Sequence, residues 1–481
     1  MGQEIKTRRF GKSDFTDFEI ALQRETKLLA SWFEGDCFSK APLVAGYELE
    51  AWLINHNYLP SLSNQQFLAH ANSALLTQEL AQFNIEINAK PLKLANKMLS
   101  EFEQSFTQHW SFCQQVARSI DCQLLSIGIL PTLQPQHLTL KNISDQERYR
   151  ALNEQVLKQR GGEAFQLNIN GHESLKTTHQ DVMLEAASTS LQIHLQVTQQ
   201  QAVRYYNASI LLSAPLVAIS ANSPYLFGKD LWSETRIPVF QQSVDVGGFA
   251  GAAHGPVHRV SFGTAYARDS LMECFEENWQ HFPVLLPMNF KADNNQLKHL
   301  SLHNGTIWRW NRPLVGFDAD GTPHLRIEHR VMASGPSIVD NIANMAFYYG
   351  LVHYYANQDE PPELGLEFSR ARDNFYNAAR QGLDSKINWP GCERCNIQHL
   401  ILHRLLDEAE SGLNALGMDA NDIAKYLAVI EARAEKKQTG SDWQRQFVSL
   451  HGNDLTQLTR AYYQNQQSRE AVHNWDYASY E

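Results

Sequence analysis

Apolar positions recur along this chain with two different periods, and the periods predict its elements. Residues 15–33 carry apolar side chains at helical spacing and predict an amphipathic helix. Across residues 92–120 the apolar positions are Met98, Phe102, Phe106, Trp110, Cys113 and Ala117. Those steps of four and three predict one long helix with a single buried stripe. Residues 202–220, rich in small and apolar side chains, and 338–355 predict two more helices. Extended runs with period-two patterning predict strands over 43–54, 83–88, 165–169 and 189–197, and a further one over 123–129 that ends before Pro131. Residues 315–317 and 324–331 flank Asp320-Gly321, which predicts a hairpin with a loop longer than two residues. A polar stretch with two prolines, 357–363, marks a boundary, and the pattern beyond it is almost wholly helical from about 366 to 463. The expected organisation is an N-terminal helical segment (1–40), an α+β body (41–360) and a helical C-terminal region (361–481).

Composition narrows the class. With 481 residues, 43% of them hydrophobic, the chain can bury a sizeable core. A net charge of −11 argues against broad electrostatic binding to nucleic acid or anionic lipid. No apolar run follows the charges of residues 1–9, so no secretory signal is expected; no run of about 18 apolar residues predicts a membrane span. Residues 210–219 are too short for one and predict a buried helix. Six cysteines in a chain of this length are not a disulfide framework, and a reducing cytoplasm is the expected compartment. Cys392 and Cys395 form a lone CxxC, for which packing or a helix start is the expectation.

The chemistry lies on the polar sides of the predicted strands. Period-two alternation puts Glu48 and Glu50 on one face, Asn84, Glu86 and Asn88 on a second, Gln192, His194 and Gln196 on a third, and Arg326, Glu328 and Arg330 on a fourth. An ordinary antiparallel sheet also has one polar face. These four faces, however, combine four carboxylates, an imidazole and two guanidiniums with no lysine. Neighbouring carboxylates repel unless a counter-ion intervenes. Carboxylate oxygens with one histidine suit Mg²⁺ or Mn²⁺, and arginines beside such ions suit phosphate. With neither a GxxxxGK[ST] nor a GxGxxG motif in the chain, a nucleotide site here would be of the carboxylate-and-arginine type on a sheet.

The motifs GYELE (46–50), FNIEIN (83–88), QIHL (192–195) and RIEHR (326–330), in that order, resemble the glutamate–cysteine ligase family, and most closely its type 2 branch of carboxylate–amine ligases. ANSP (221–224) and ETR (234–236) add to the likeness, which spans residues 41–344. The resemblance implies a glutamine synthetase-like fold, a curved and mainly antiparallel sheet forming a funnel backed by helices. It implies that Glu48, Glu50, Glu86, His194 and Glu328 hold Mg²⁺, or Mn²⁺, that Arg330 contacts the transferring phosphate of ATP, and that Arg236 binds a substrate carboxylate or phosphate. It further implies small-molecule carboxylate and amine substrates joined through an acyl phosphate. A guanidino-kinase type of phosphotransferase and a silent nucleotide-binding regulatory protein remain open alternatives; the substrates, the general base and the oligomeric state are not legible.

The segment 302–313 is dense in polar and aromatic groups. Asn304, Thr306, Arg309 and Arg312, with Arg326, are candidates to line a nucleotide pocket, and Trp308 or Trp310 to stack on a base, against the alternative of a structural strand with core tryptophans. The glycine-rich segment 247–255 reads as a lid, a phosphate loop or a plain surface loop, and His254 and His258 as metal ligands or as ordinary scattered histidines. Arg148, Tyr149 and Arg150 read as phosphate contacts or as solvated groups.

Overall fold

A computed structural model describes residues 9–247, 258–290 and 294–478. The helix α1 (Lys12–Glu34) leads into β1 (Val44–Ile54), followed by α2 (Asn64–Ala71), β2 (Leu76–Gln78), β3 (Asn84–Asn88) and β4 (Leu92–Lys93). Next come α3 (Met98–Ser119), β5 (Gln123–Leu125), α4 (Glu147–Gln159), the hairpin β6 (Phe165–Asn170) and β7 (Ser174–His179), and β8 (Ser190–Val197). Beyond α5 (Gln199–Ile219) lie the two-residue strands β9 to β12 (Tyr225–Leu226, Lys229–Asp230, Val260–Ser261, Trp308–Arg309), with α6 (Arg236–Ser243), α7 (Met272–His281) and α8 (Lys298–Gly305) among them. β13 (Asn311–Phe317) and β14 (Pro323–Ala333) form the expected hairpin and lead into α9 (Ile338–Ala356).

One antiparallel sheet organises the chain, in the order β13-β14-β8-β1-β3-β2, with β4 and β5 also paired to β1. It is curved into a half-barrel. The expected α+β class with a curved antiparallel sheet is therefore observed. β1 alternates half-buried and buried residues from Val44 to Ala51, as its sequence pattern requires. Its apolar side packs on α3, where Tyr47 meets the rings of Phe102 and Phe106. The stripe Met98, Phe102, Phe106, Trp110, Cys113 and Ala117 is buried. α9 lies behind the same sheet, and its Tyr349 hydroxyl donates to the carbonyls of Gly46 and His194, both at 3.2 Å.

α5 alone among the described helices is long and apolar enough to cross a membrane, and 89% of that window is buried inside the protein. It packs against α9, β14 and the helix α10 (Phe368–Gln381). The C-terminal stretch is not wholly helical, because the hairpin β15 (Lys386–Trp389) and β16 (Cys392–Asn396) interrupts it. Within β16, Cys392 and Cys395 form a disulfide, and Cys395 also packs against the core. After α11 (Ile397–Leu400), the helices α12 (Leu406–Ala415) and α13 (Ala420–Lys436) pack on α9. A buried ion pair fixes α13 there, Arg433 Nη2 to Asp340 Oδ1 at 2.7 Å. The helices α14 (Gly440–His451) and α15 (Leu455–Ser468) close the chain.

Candidate active site

The strand register decides which side chains meet. Glu50 stands directly opposite Glu86 across β1 and β3. His194 stands opposite Gly46 on one side and Glu328 on the other, and Glu328 in turn opposite Arg312. Like charges directly opposed in an antiparallel pair destabilise it, so the Glu50–Glu86 pairing has to be met by a cation or a proton.

Two groups of metal-competent side chains result. Glu48, His194 and Glu328 offer one ligand atom each, all within 4.8 Å of one another; Glu50, Glu79 and Glu86 form a second group by the same measure. The five residues singled out in the sequence are thus divided between two neighbouring groups, and Glu79 joins them. Glu79 went unread because it follows β2 and belongs to no alternating run; the β2–β3 register, with Thr77 opposite Glu86, carries it in. Glu185, from a 3₁₀ turn (Val182–Ala187) that packs on α6, was missed for the same reason.

The electrostatics differ between the groups. Burial works against ionised Glu328, but Arg312, Arg330 and His194 outweigh it and hold the carboxylate below its usual range. Glu48, also opposed by burial, is held down to about 2 by His194, whose Nε2 lies 3.3 Å from Glu48 Oε1. In the second group burial dominates. It pushes Glu86 up to about 8 with the help of Glu48, and raises Glu79 well above its ordinary value with the help of Glu86, Glu50 and Glu185. Glu185 likewise rises to about 8 through burial and Glu50. Glu50 is raised by burial, though Arg330 and bonds from Ser190 oppose the shift. Its carboxylate accepts from Ser190 N at 2.6 Å, Ser190 Oγ at 3.1 Å and Gln192 Nε2 at 3.0 Å.

The donor set fits divalent metal. Glu48 Oε2, Glu79 Oε1 and Glu86 Oε2 are buried without hydrogen-bond partners. Anionic oxygens in this state are costly unless a cation or proton reaches them. Five carboxylates with one imidazole and no thiolate form a hard donor set, suited to Mg²⁺ or Mn²⁺.

A cavity of about 890 Å³ opens on this face. Glu48, His194 and Glu328 line it from the sheet, Glu79 and Glu185 from the side, and Arg148 and Tyr149 from α4. Glu50, Glu86 and Arg330 are not part of its wall. Arg326 lines it with a buried, unpartnered Nε and no ion pair to a described residue. Asn304, Thr306, Arg312 and Trp308 line it as well, whereas Trp310 belongs to the core. Arg312 closes a two-pronged contact on Glu328, Nε to Oε2 at 2.8 Å and Nη2 to Oε1 at 3.0 Å, and so holds that carboxylate in place. Asn304 is engaged with Asn278 and the carbonyl of Pro313. Arg330 Nη1 donates to Gln192 and to Glu328, the latter at 3.1 Å. A register shift between His329 and Met332 adds one residue to β14 at this point.

Two further expected site arginines do not line the cavity. Arg236 pairs with buried Glu234 at 3.1 Å, donates to the carbonyl of Val331 at 2.6 Å, and does not line the cavity. Glu234 also accepts from Asn222 N at 2.8 Å and Ser223 Oγ at 2.7 Å, so the ANSP and ETR segments form one internal tie. Arg309 reaches Glu277 on α7 at 2.5 Å and likewise stays out of the cavity. Arg150 faces outward beside Asp145, and His258 pairs with Asp245 at 3.0 Å. Of the glycine-rich segment only Gly247 is described, and His254 lies outside the described residues.

Fold and site together define a class: an antiparallel half-barrel whose polar face gathers two groups of metal-competent side chains beside an arginine-edged cavity. The family model described as Glutamate-cysteine ligase family 2 (GCS2) matches residues 44–474. The chain belongs to that family. Its fold is similar to a glutamate–cysteine ligase from Francisella tularensis, solved in complex with AMP, with a TM-score of 0.52 and 13% identity over 91% of each chain. It is also similar to a bifunctional glutathione synthetase from Pasteurella multocida, with a TM-score of 0.54 and 12% identity; the match covers 94% of this chain and 55% of that one. A search of curated protein sequences finds no match.

Proposed function

We propose that the protein is an ATP- and Mg²⁺-dependent ligase that joins a small carboxylate to an amine. The observation that carries this is the meeting of two neighbouring carboxylate groups, Glu48/His194/Glu328 and Glu50/Glu79/Glu86, of which Glu48, His194, Glu328 and Glu79 line one cavity together with Arg326. Family membership supports the reaction class. Bound Mg²⁺ would supply charge neutralisation for the phosphates, and those six residues would hold it.

The chain's own groups divide the remaining work. Arg326, whose Nε is unpaired, is the guanidinium suited to a phosphate in the cavity. Arg312 and Arg330 grip Glu328 from two sides and keep it ionised and oriented. Trp308 offers a partly buried ring for a nucleotide base. A carboxylate is a poor electrophile until phosphorylated; phosphoryl transfer gives it a leaving group, and attack by the amine then expels phosphate and leaves an amide.

ADP release measured against paired carboxylates and amines, with mass detection of the product, tests this. Release that requires both substrates, with an amide of the summed mass less water, is the expected result. A stable phosphorylated acceptor formed without amine would assign a kinase instead. ATP binding with no turnover across a broad amino-acid panel would leave a regulatory protein.

A further inference from the structure

A second cavity, of about 400 Å³, lies between α3, α15 and the start of α9, and none of its lining residues belongs to the active-site wall. Its size falls within the range of small-molecule sites. No acidic side chain lines it. Two guanidiniums do, Arg118 and Arg469, and neither forms an ion pair with a described residue; their contacts are the Tyr463 hydroxyl and Ser111 Oγ. The rest of the wall is uncharged, with the rings of Phe106 and Trp110 on α3, the amide of Asn341 on α9, and serine, glutamine and aliphatic side chains.

Two amide atoms there have unmet hydrogen bonds. Asn341 is 1% exposed, and its Oδ1 is buried with no partner. Gln467 Nε2 is likewise buried with none, although its Oε1 accepts from Gln114 at 2.6 Å. A buried polar group left unpaired is costly, and a ligand bearing both a donor and an acceptor would offset that cost. The lining therefore asks for an anionic carboxylate against the arginines, an N–H donor toward Asn341, an acceptor toward Gln467 and a small apolar body against Trp110.

We propose that this cavity binds a free α-amino acid, separately from the active site. Its position gives such a ligand a route to β1. The lining residue Ser126 shares a hydrogen bond with Ser334 at 2.7 Å, and Ser334 Oγ donates to the main-chain carbonyl of Glu50. Gln466, also in the wall, donates to the carbonyls of Ser126 and Pro336.

Titration of the full-length protein with each of the twenty L-amino acids alone, followed by tryptophan fluorescence, tests the site. At least one is expected to give a saturable change below about 10 mM. That change disappears in Trp110→Phe, weakens about tenfold in Arg118→Gln/Arg469→Gln, and survives in Glu328→Gln. Both arginines are exposed, so the double variant keeps the fold and a normal melt verifies it. The proposal is overturned by no saturable change with any of the twenty. It is equally overturned if affinity in the double arginine variant stays within about twofold of wild type, or if Glu328→Gln abolishes the signal, which would assign binding to the active site.

Discussion

Glu86→Gln is expected to stabilise the metal-free protein, and the pH dependence of the gain identifies its cause. Glu86 is fully buried, faces Glu50 across the strand pair, and rises from 4.5 to about 8. A carboxyl with a raised folded-state value binds more protons folded than unfolded between those two pH values. Stability therefore falls as pH rises from 4.5 towards 8, and the full penalty applies above 8. At 1.36 kcal/mol per pH unit the gap amounts to about 5 kcal/mol; roughly 4 of it is present at pH 7.5 and about 1 at pH 5. Glutamine keeps an oxygen for Thr77 Oγ1 and Asn88 Nδ2, which both donate to Glu86 Oε1 at 2.9 Å. For a chain this long, about 4 kcal/mol corresponds to roughly 4 °C in Tm. Thermal melts in EDTA should show the variant about 4 °C above wild type at pH 7.5 and within about 1 °C of it at pH 5. Added Mg²⁺ should raise the wild-type Tm more than the variant's, which keeps the Glu48/His194/Glu328 group. An equal difference at both pH values, or a less stable variant at pH 7.5, would refute the assignment of strain to burial of the Glu86 carboxylate near Glu48.

Other outcomes test the remaining groups. Glu48→Gln and Glu328→Gln should each abolish Mg²⁺-dependent ADP release while leaving the far-UV circular dichroism unchanged; wild-type turnover in either would remove that group from the site. Arg330→Lys loses a planar donor shared between Glu328 and Gln192, so kcat should fall by about tenfold or more with a smaller change in the KM for ATP. Arg236→Met leaves Glu234 buried without its cation, which should cost about 3–5 kcal/mol in a denaturant melt. Substrate KM in any residual folded fraction should be unchanged, because Arg236 does not line the cavity.

The sequence by itself determined what each strand could offer. Alternation forces Glu48 with Glu50, Gln192 with His194, and Glu328 with Arg326 onto shared faces, because a pleated backbone turns its side chains by period two whatever it pairs with. Helical spacing, with steps of four and three, likewise exposed the buried stripe of α3, and the ordered motifs named the family. Tertiary structure alone decided which strands are neighbours and in what register, and so split the acidic residues into two groups and opposed Glu50 to Glu86. It brought in Glu79 and Glu185 from segments with no periodic signature. It also withdrew Arg236 and Arg309 from the cavity, because each found a carboxylate elsewhere, Glu234 and Glu277. A guanidinium's partner depends on which anion lies within reach in space, and local spacing along a chain carries no information about that.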